Sequence, residues 1–165
     1  MCGPTGAPQA QARDVKDDPW RSLSHKGSDH LLLHASAVAL EGRGIVIAGA
    51  SGAGKSSLTL AIMALGGRLV ADDRVLVSRR ECDKVLIGVA PAELTGQIEA
   101  YGIGILSAEC APAPLLLAVE LGEVLAPRHP EPEMLALCGA RIPLVRTCYS
   151  PYLAAAVVQR LRSTR

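Results

Sequence analysis

Gly49-Ala50-Ser51-Gly52-Ala53-Gly54-Lys55-Ser56 is a complete G-x-x-x-x-G-K-S phosphate-loop motif. The apolar residues 44–48 just before it are typical of a buried strand, and the composition and periodicity of residues 57–65 predict a helix. Because the motif binds phosphate in this strand–loop–helix context, a glycine-rich turn without a ligand is the less favoured interpretation. The sequence therefore predicts a site for a nucleoside triphosphate.

The fixed positions of the motif have separate roles in holding a triphosphate. Glycines let consecutive backbone N–H groups curl around phosphate oxygens, and the start of the following helix adds partial positive charge. Lys55 is expected to reach the β- and γ-phosphates, while the Ser56 hydroxyl is expected to bind Mg²⁺. ATP and Mg²⁺ are the expected cofactors.

The composition narrows the classes of function. A chain of 165 residues with 49% hydrophobic residues can bury one core without disulfides. The net charge of +1 and the scarcity of aromatic residues argue against a nucleic-acid surface. No segment matches a signal peptide or a membrane span, and the five cysteines form no C-x-x-C pair. We expect a cytoplasmic protein with reduced thiols and no membrane partner.

The chain divides into a leader and one domain. Residues 1–28 are rich in Gly, Pro and mixed charges, which predicts a largely disordered leader with Trp20 as an anchor to the domain. Residues 29–165 are expected to form the phosphate-loop domain. Its predicted strands outnumber its helices, so the fold class is α/β with a mixed β-sheet and flanking helices, rather than an alternating doubly wound sheet. The strands are predicted near residues 31–34, 37–40, 45–48, 68–71, 74–78, 85–87, 115–119 and 141–145, and a closing helix near 151–162.

Two adjacent acids are the strongest candidates for catalysis. Asp72 and Asp73 end an apolar strand that follows the phosphate-loop helix, so they should return to the same sheet edge as the loop. One carboxylate could face the metal ion and the other the acceptor. A polar strand end leading into a turn is the structural alternative. His34 could reach an acidic neighbour in the site, although a lone His beside leucines is more often an ordinary strand residue.

Three pieces of the chain resemble the catalytic domain of the HPr kinase/phosphorylase family. They are the stretch from His34 through the phosphate loop, the run Leu69-Val70-Ala71-Asp72-Asp73-Arg74-Val75, and Ile98-Glu99-Ala100-Tyr101-Gly102-Ile103-Gly104-Ile105. The last is similar to the family marker I-E-h-R-G-h-G-h, where h is apolar. The pieces occur in the family's order and spacing and cover about residues 30–160. The chain looks like a short form that consists of the C-terminal catalytic domain.

The resemblance implies a PEP carboxykinase-like fold and an ATP-dependent kinase that modifies a serine of the phosphocarrier HPr. By position, the phosphate loop would hold ATP, with Ser56 also on Mg²⁺. Glu99 matches the family's second metal-binding position, and Asp72 would assist the metal.

The resemblance also implies roles in proton transfer. Asp73 matches the family's acceptor of the serine proton, which is the proton donor in the reverse phosphorolysis. His34 would orient the acidic pair, and Arg128 matches a further catalytic arginine. Full-length relatives form hexamers through this domain, which makes a homo-oligomer a possible state.

The chain departs from the family pattern at three places. Tyr101 stands at the arginine of the second marker, Ser57 stands where an acid commonly follows the phosphate-loop serine, and residues 142–147 lack the Pro-, Arg- and Gly-rich sequence linked to phosphorolysis. We therefore expect phosphorylation of HPr or a related phosphocarrier, with phosphorolysis doubtful. A non-catalytic ATP/ADP-sensing module and a small-molecule kinase on the same scaffold are the alternatives.

Overall fold

The computed structural model describes residues 18–23, 30–122, 128 and 130–163. Within these ranges the chain forms eleven strands and two α-helices. The strands are β1 (His30–Leu33), β2 (Ala35–Leu40), β3 (Arg43–Gly49), β4 (Arg68–Ala71), β5 (Val75–Arg79), β6 (Leu86–Val89), β7 (Gln97–Ala100), β8 (Gly104–Ser107), β9 (Ala113–Leu121), β10 (Glu133–Leu137) and β11 (Ala140–Thr147). The helices are α1 (Lys55–Ala64) and α2 (Leu153–Ser163), and Ala92–Leu94 forms a 3-10 turn.

Nine strands form one mixed sheet. Its main order is β1-β5-β6-β9-β3-β2-β4, with β11 beside the end of β9 and β10 beside β11. The neighbours β3, β9 and β11 are parallel, whereas the other pairs of this sheet are antiparallel. The prediction of a mixed sheet with more strands than helices is confirmed.

The strand β2 brings the ends of β3 and β4 to the same edge of the sheet. It pairs antiparallel with both, so β3 and β4 run in the same direction. The predicted hairpin between β2 and β3 turns at Glu41 and Gly42, whose φ angles of 54° and 74° suit a tight hairpin turn. The residues that follow β3 and β4 therefore emerge together.

Alternating side chains fill a hydrophobic cluster on each face of the sheet. In β3, Ile45 and Ile47 pack in the cluster that contains α1 and α2, whereas Val46 and Ala48 belong to the opposite cluster. This period of two follows from the strand geometry. Both helices therefore pack against β3, the strand that precedes the phosphate loop. This packing fixes the start of α1 relative to β3.

Trp20 joins the segment at residues 18–23 to the domain. Its side chain is buried, and its indole Nε1 donates a hydrogen bond of 2.8 Å to the buried carboxylate of Glu120. Arg146 Nε donates to the same oxygen at 3.2 Å, and Ser22 forms an isolated bridge with Leu33. The expected contact of Trp20 with the domain is present. Residues 1–17 and 24–29 lie outside the described ranges, so the leader and its boundary stay predictions.

Two strand pairs are more extensive than the sequence indicates. The glycine-rich stretch near residue 103 is the turn of a separate two-stranded sheet, β7–β8. The predicted strand at 141–145 is the second half of a hairpin with β10, which was not predicted. Prolines at 130 and 132 obscure the strand pattern just before β10.

No helix in the described ranges is long and apolar enough to cross a membrane.

Candidate active site

An open cleft of about 860 Å³ lies where β3 and β4 end. The phosphate-loop motif, the two acids and the β7–β8 hairpin all contribute to its lining. The lining residues are His34, Ser36, Ser51, Gly52, Gly54, Lys55, Ser56, Ser57, Asp72, Asp73, Leu94, Gln97, Ile98, Glu99, Tyr101 and Ile105. Residues predicted from three separate parts of the sequence thus meet in one cavity.

The loop between β3 and α1 needs glycine at particular positions. Gly52 and Gly54 have φ angles of 78° and 99°, which side-chain-bearing residues rarely adopt. A Cβ on Gly49 would lie 2.4 Å from the carbonyl oxygen of Leu121, because β3 and β9 are parallel neighbours there. The motif therefore has the backbone freedom and the close packing that its glycines predict.

The side chain of Lys55 is held by backbone carbonyl oxygens of the loop. Its Nζ donates hydrogen bonds of 3.1 Å to the carbonyl oxygens of both Gly49 and Ala50, and the side chain is buried. Burial lowers the pKa of the Lys55 ammonium group from 10.5, while attraction to Asp72 and Asp73 opposes this shift. The ammonium group lies next to the space that the motif would give to phosphate oxygens.

Asp72 is a buried carboxylate fixed by three donors. Ser36 Oγ donates to Oδ1 at 2.5 Å, Ser56 Oγ lies 3.0 and 3.1 Å from the two carboxylate oxygens, and the backbone N–H of Glu99 donates to Oδ2 at 3.1 Å. These contacts come from β2, α1 and β7. Asp72 therefore connects three elements of the cleft and cannot turn freely.

Asp73 differs from Asp72 in both exposure and partners. Its side chain is 57% exposed, and its φ of 65° turns the chain sharply after β4. His34 Nδ1 lies 3.3 Å from its carboxylate and 3.1 Å from its carbonyl oxygen, and Arg74 Nε lies 3.7 Å from the carboxylate. The adjacent acids thus have the different environments that a division of roles requires. His34 contacts Asp73 rather than both acids.

Ser56 and Asp72 offer oxygen ligands suited to Mg²⁺. In the part of the chain that the structure describes, no cluster of three or more His, Cys, Asp or Glu side chains could hold a metal by itself. Magnesium in kinase sites takes one or two carboxylates together with phosphate oxygens and water, so the residues fit an ion that arrives with a triphosphate. Glu99 lines the same cleft, and its role as a metal ligand stays a prediction.

Four of the proposed site residues do not line the cleft. Ala50 and Ala53 belong to the motif without facing the cavity, and Arg128 is an exposed residue between β9 and β10. Most residues around Arg128 lie outside the described ranges, so its catalytic role stays a prediction. The fourth is Gly49, whose carbonyl oxygen accepts a hydrogen bond from Lys55 Nζ.

Ser36 is a site residue that the sequence analysis missed. Its side chain is fully buried and makes the shortest of the contacts to Asp72. The signal that could have found it is its position two residues after His34, because residues i and i+2 of an extended chain share a face.

Comparison with known proteins identifies the family. The family model described as "HPr Serine kinase C-terminal domain" matches residues 25–111, which is more than half of the chain. The chain belongs to this family. The resemblance carried by the phosphate loop, the acidic pair and the second marker is therefore confirmed.

Curated relatives match about half of the chain. The HPr kinase/phosphorylase of Levilactobacillus brevis is 40% identical over 84 residues, which are 51% of this chain and 27% of that protein. The HPr kinase/phosphorylase of Clostridium botulinum is 42% identical over 84 residues, which are again 51% of this chain and 27% of that protein. The alignments thus span about a quarter of the length of these relatives.

A solved structure has a similar fold. The HPr(Ser) kinase/phosphatase from Coxiella burnetii aligns with a TM-score of 0.67 and 24% identity, over 79% of this chain and 88% of that one. This structural alignment covers a larger share of the chain than the family model, which matches residues 25–111. It supports the mixed α/β fold described above.

Proposed function

We propose that this chain is an ATP-dependent serine protein kinase that phosphorylates HPr or a related phosphocarrier protein in the cytoplasm. One observation carries the proposal: the Lys55–Ser56 end of the phosphate loop and the Asp72–Asp73 pair occupy one open cleft. The names of the curated relatives support the same activity. In this proposal the domain is a phosphate-loop domain of PEP carboxykinase type.

The loop residues would hold the triphosphate of ATP. Backbone N–H groups of residues 49–56 and the start of α1 offer donors and positive charge to phosphate oxygens. Lys55 adds a cation fixed beneath the loop by two carbonyl oxygens. Ser56 and Asp72, assisted by Glu99, would hold Mg²⁺, which offsets the negative charge of the phosphates when it is bound.

Asp73 would serve as the base for the incoming serine. Its exposed carboxylate can accept the hydroxyl proton while the serine oxygen forms a bond to the γ-phosphorus and the bond to the bridging oxygen of ADP breaks. The His34 contact fixes the orientation of Asp73. Lys55 is attracted electrostatically to both acids, and its positive charge would offset the negative charge on the transferred phosphoryl group.

The openness of the cleft favours a protein acceptor over a small molecule. A small-molecule kinase usually encloses its substrate to exclude water. Here the wall formed by β7 and β8 carries exposed apolar side chains, including a fully exposed Tyr101. An extended loop of a partner protein could therefore reach Asp73 from solvent.

A non-catalytic ATP/ADP sensor is the second candidate, and Tyr101 favours it. The residue lines the cleft where the family marker has an arginine, and a tyrosine lacks the permanent charge and the fork of donors of a guanidinium group. The Asp73–His34 pair weighs against this candidate, because nucleotide binding alone does not need a base.

Transfer of label from [γ-³²P]ATP·Mg²⁺ tests the proposal. Acceptors would be purified HPr and HPr in which the target serine is replaced by alanine, with Lys55→Met as the inactive enzyme control. We expect label on the first acceptor only. Phosphorolysis of phosphoserine-HPr, in which added inorganic phosphate takes the phosphoryl group to form pyrophosphate and the serine hydroxyl is restored, should be slower than the forward transfer. ATP binding without transfer to HPr or to a related phosphocarrier would refute the kinase proposal and support the sensor.

A further inference from the structure

We propose that Tyr149 stacks on the base of the bound nucleotide and so forms the base subsite of this chain. The inference rests on the proposed ATP site and adds a residue that neither the phosphate-loop motif nor the family markers include. Tyr149 lies in the segment between β11 and α2, and in the sheet β11 lies on the opposite side of β3 from β4, the strand that precedes the acids.

The sheet register places this segment beside the phosphate loop. Gly49 of β3 pairs with Leu121 of β9, and Leu121 pairs with Thr147 of β11, all in parallel strands. The carboxyl ends of these three strands are therefore level, and ligands of α/β proteins bind at such an edge. The chain reaches Tyr149 two residues beyond this line.

The ring of Tyr149 lies against the end of the loop itself. A Cβ built on Gly54 would be 3.1 Å from the Cγ and Cδ2 atoms of Tyr149. Gly54 caps α1 directly before Lys55, so the ring borders the loop that would hold the phosphates. At 44% exposure, the side chain packs on the loop and still has surface open to a ligand.

The position of the acids determines which end of a bound nucleotide lies near them. In the order β11-β9-β3-β2-β4, Asp72 and Asp73 follow β4, on one side of the phosphate-loop strand, and Tyr149 follows β11, on the other. Ser56 contacts Asp72, so the metal and the γ-phosphate belong on the acidic side. The base is at the other end of the nucleotide and must extend away from the acids.

Tyr149 also has suitable chemistry among the few aromatic residues of the chain. The sequence has one Trp, three Tyr and no Phe. Trp20 is buried in the core, and Tyr101 lines the cleft with the acids. Stacking on an aromatic face is favourable for any base, so this subsite would contribute affinity without strict base selectivity.

Binding of two ligands separates a base contact from a structural role. Calorimetry would compare ATP·Mg²⁺ with inorganic tripolyphosphate·Mg²⁺, which has the phosphates but no base. We expect Tyr149→Ala to weaken ATP binding on the order of tenfold and to leave tripolyphosphate binding unchanged. Tyr149→Phe, which keeps the ring, should retain the affinity for ATP.

Tyr152→Ala is the matched control, because Tyr152 lies in the same segment and is 72% exposed. It should bind both ligands as the parent does. The inference would be overturned if Tyr149→Ala weakened the binding of both ligands equally, or if it did not weaken ATP binding. Neither result would contradict the proposed nucleotide site. If the parent protein bound neither ligand, the proposed function would fail and the base subsite with it.

Discussion

The hydroxyl of Ser56 lies 3.0 and 3.1 Å from the two carboxylate oxygens of Asp72. The contact joins the first turn of α1 to the residue that follows β4. It exists because β2 pairs with both β3 and β4 and brings their ends to one edge. Two oxygen ligands of the kind that Mg²⁺ prefers are thus positioned by the sheet.

Replacing Asp72 with Asn should raise the Mg²⁺ concentration needed for half-maximal ATP binding by roughly tenfold or more. The amide keeps the shape of the side chain but removes the negative charge that attracts the ion. Magnesium titrations at fixed ATP would measure the effect. Asp83→Asn, which changes an exposed acid outside the cleft, is the control. An unchanged magnesium requirement in Asp72→Asn would exclude Asp72 as a ligand.

Ser36→Ala should lower the free energy of unfolding by about 1.5–3 kcal/mol, because a buried carboxylate loses a hydrogen bond. Thr59→Val is a matched comparison, since the Thr59 hydroxyl is buried without a hydrogen-bond partner among the residues that the structure describes. That change should be neutral or stabilising. Urea denaturation would measure both. Equal stability of the two variants would mean that the Ser36–Asp72 contact contributes nothing.

The pKa of Lys55 should lie below 10.5 in the ligand-free protein, because burial disfavours its charged form. Since the unfolded chain then holds more protons, the free energy of unfolding gains a contribution that rises with pH, from the lowered pKa up to 10.5. NMR titration of the Lys55 side chain would measure the shift. A pKa of Lys55 at or above 10.5 would contradict the prediction.

Gly49→Ala should destabilise the protein more than Gly52→Ala. At Gly49 the new Cβ would meet the Leu121 carbonyl oxygen at 2.4 Å, whereas at Gly52 it would meet no atom of the described part of the chain within 4 Å. Gly52→Ala then suffers only the strain of positive φ, about 1–2 kcal/mol. Thermal or urea unfolding of both variants would measure the difference. A smaller loss for Gly49→Ala would show that β3 and β9 do not approach as described.

Local patterns in the sequence predicted much of the fold and of the site. The motif predicted the loop between β3 and α1, and the apolar run ending at Asp72 predicted β4. The Glu41–Gly42 turn predicted the β2–β3 hairpin. Each of these signals lies within about ten residues, where periodicity and turn chemistry are informative.

Contacts between distant segments could not be predicted in the same way. The bond from Ser36 to Asp72 depends on the pairing of β2 with β4, and the Tyr149 contact with Gly54 depends on two parallel pairings. In the β7–β8 hairpin, β8 is exposed at all four residues and lacks the apolar alternation of a half-buried strand, and the alternation in β7 extends over only four residues. Register across a sheet is set by tertiary packing, which no single stretch of the sequence contains.

Asp73→Asn is the most direct test of the proposed kinase site. Asparagine also tolerates the positive φ at this position, so the change removes the base with little effect on the backbone. ATP·Mg²⁺ binding and phosphoryl transfer to HPr would be measured on the same samples of parent and variant. We predict unchanged ATP binding and transfer reduced by about 10²-fold or more. Transfer at the parental rate by Asp73→Asn would contradict the assignment of the base and the mechanism built on it.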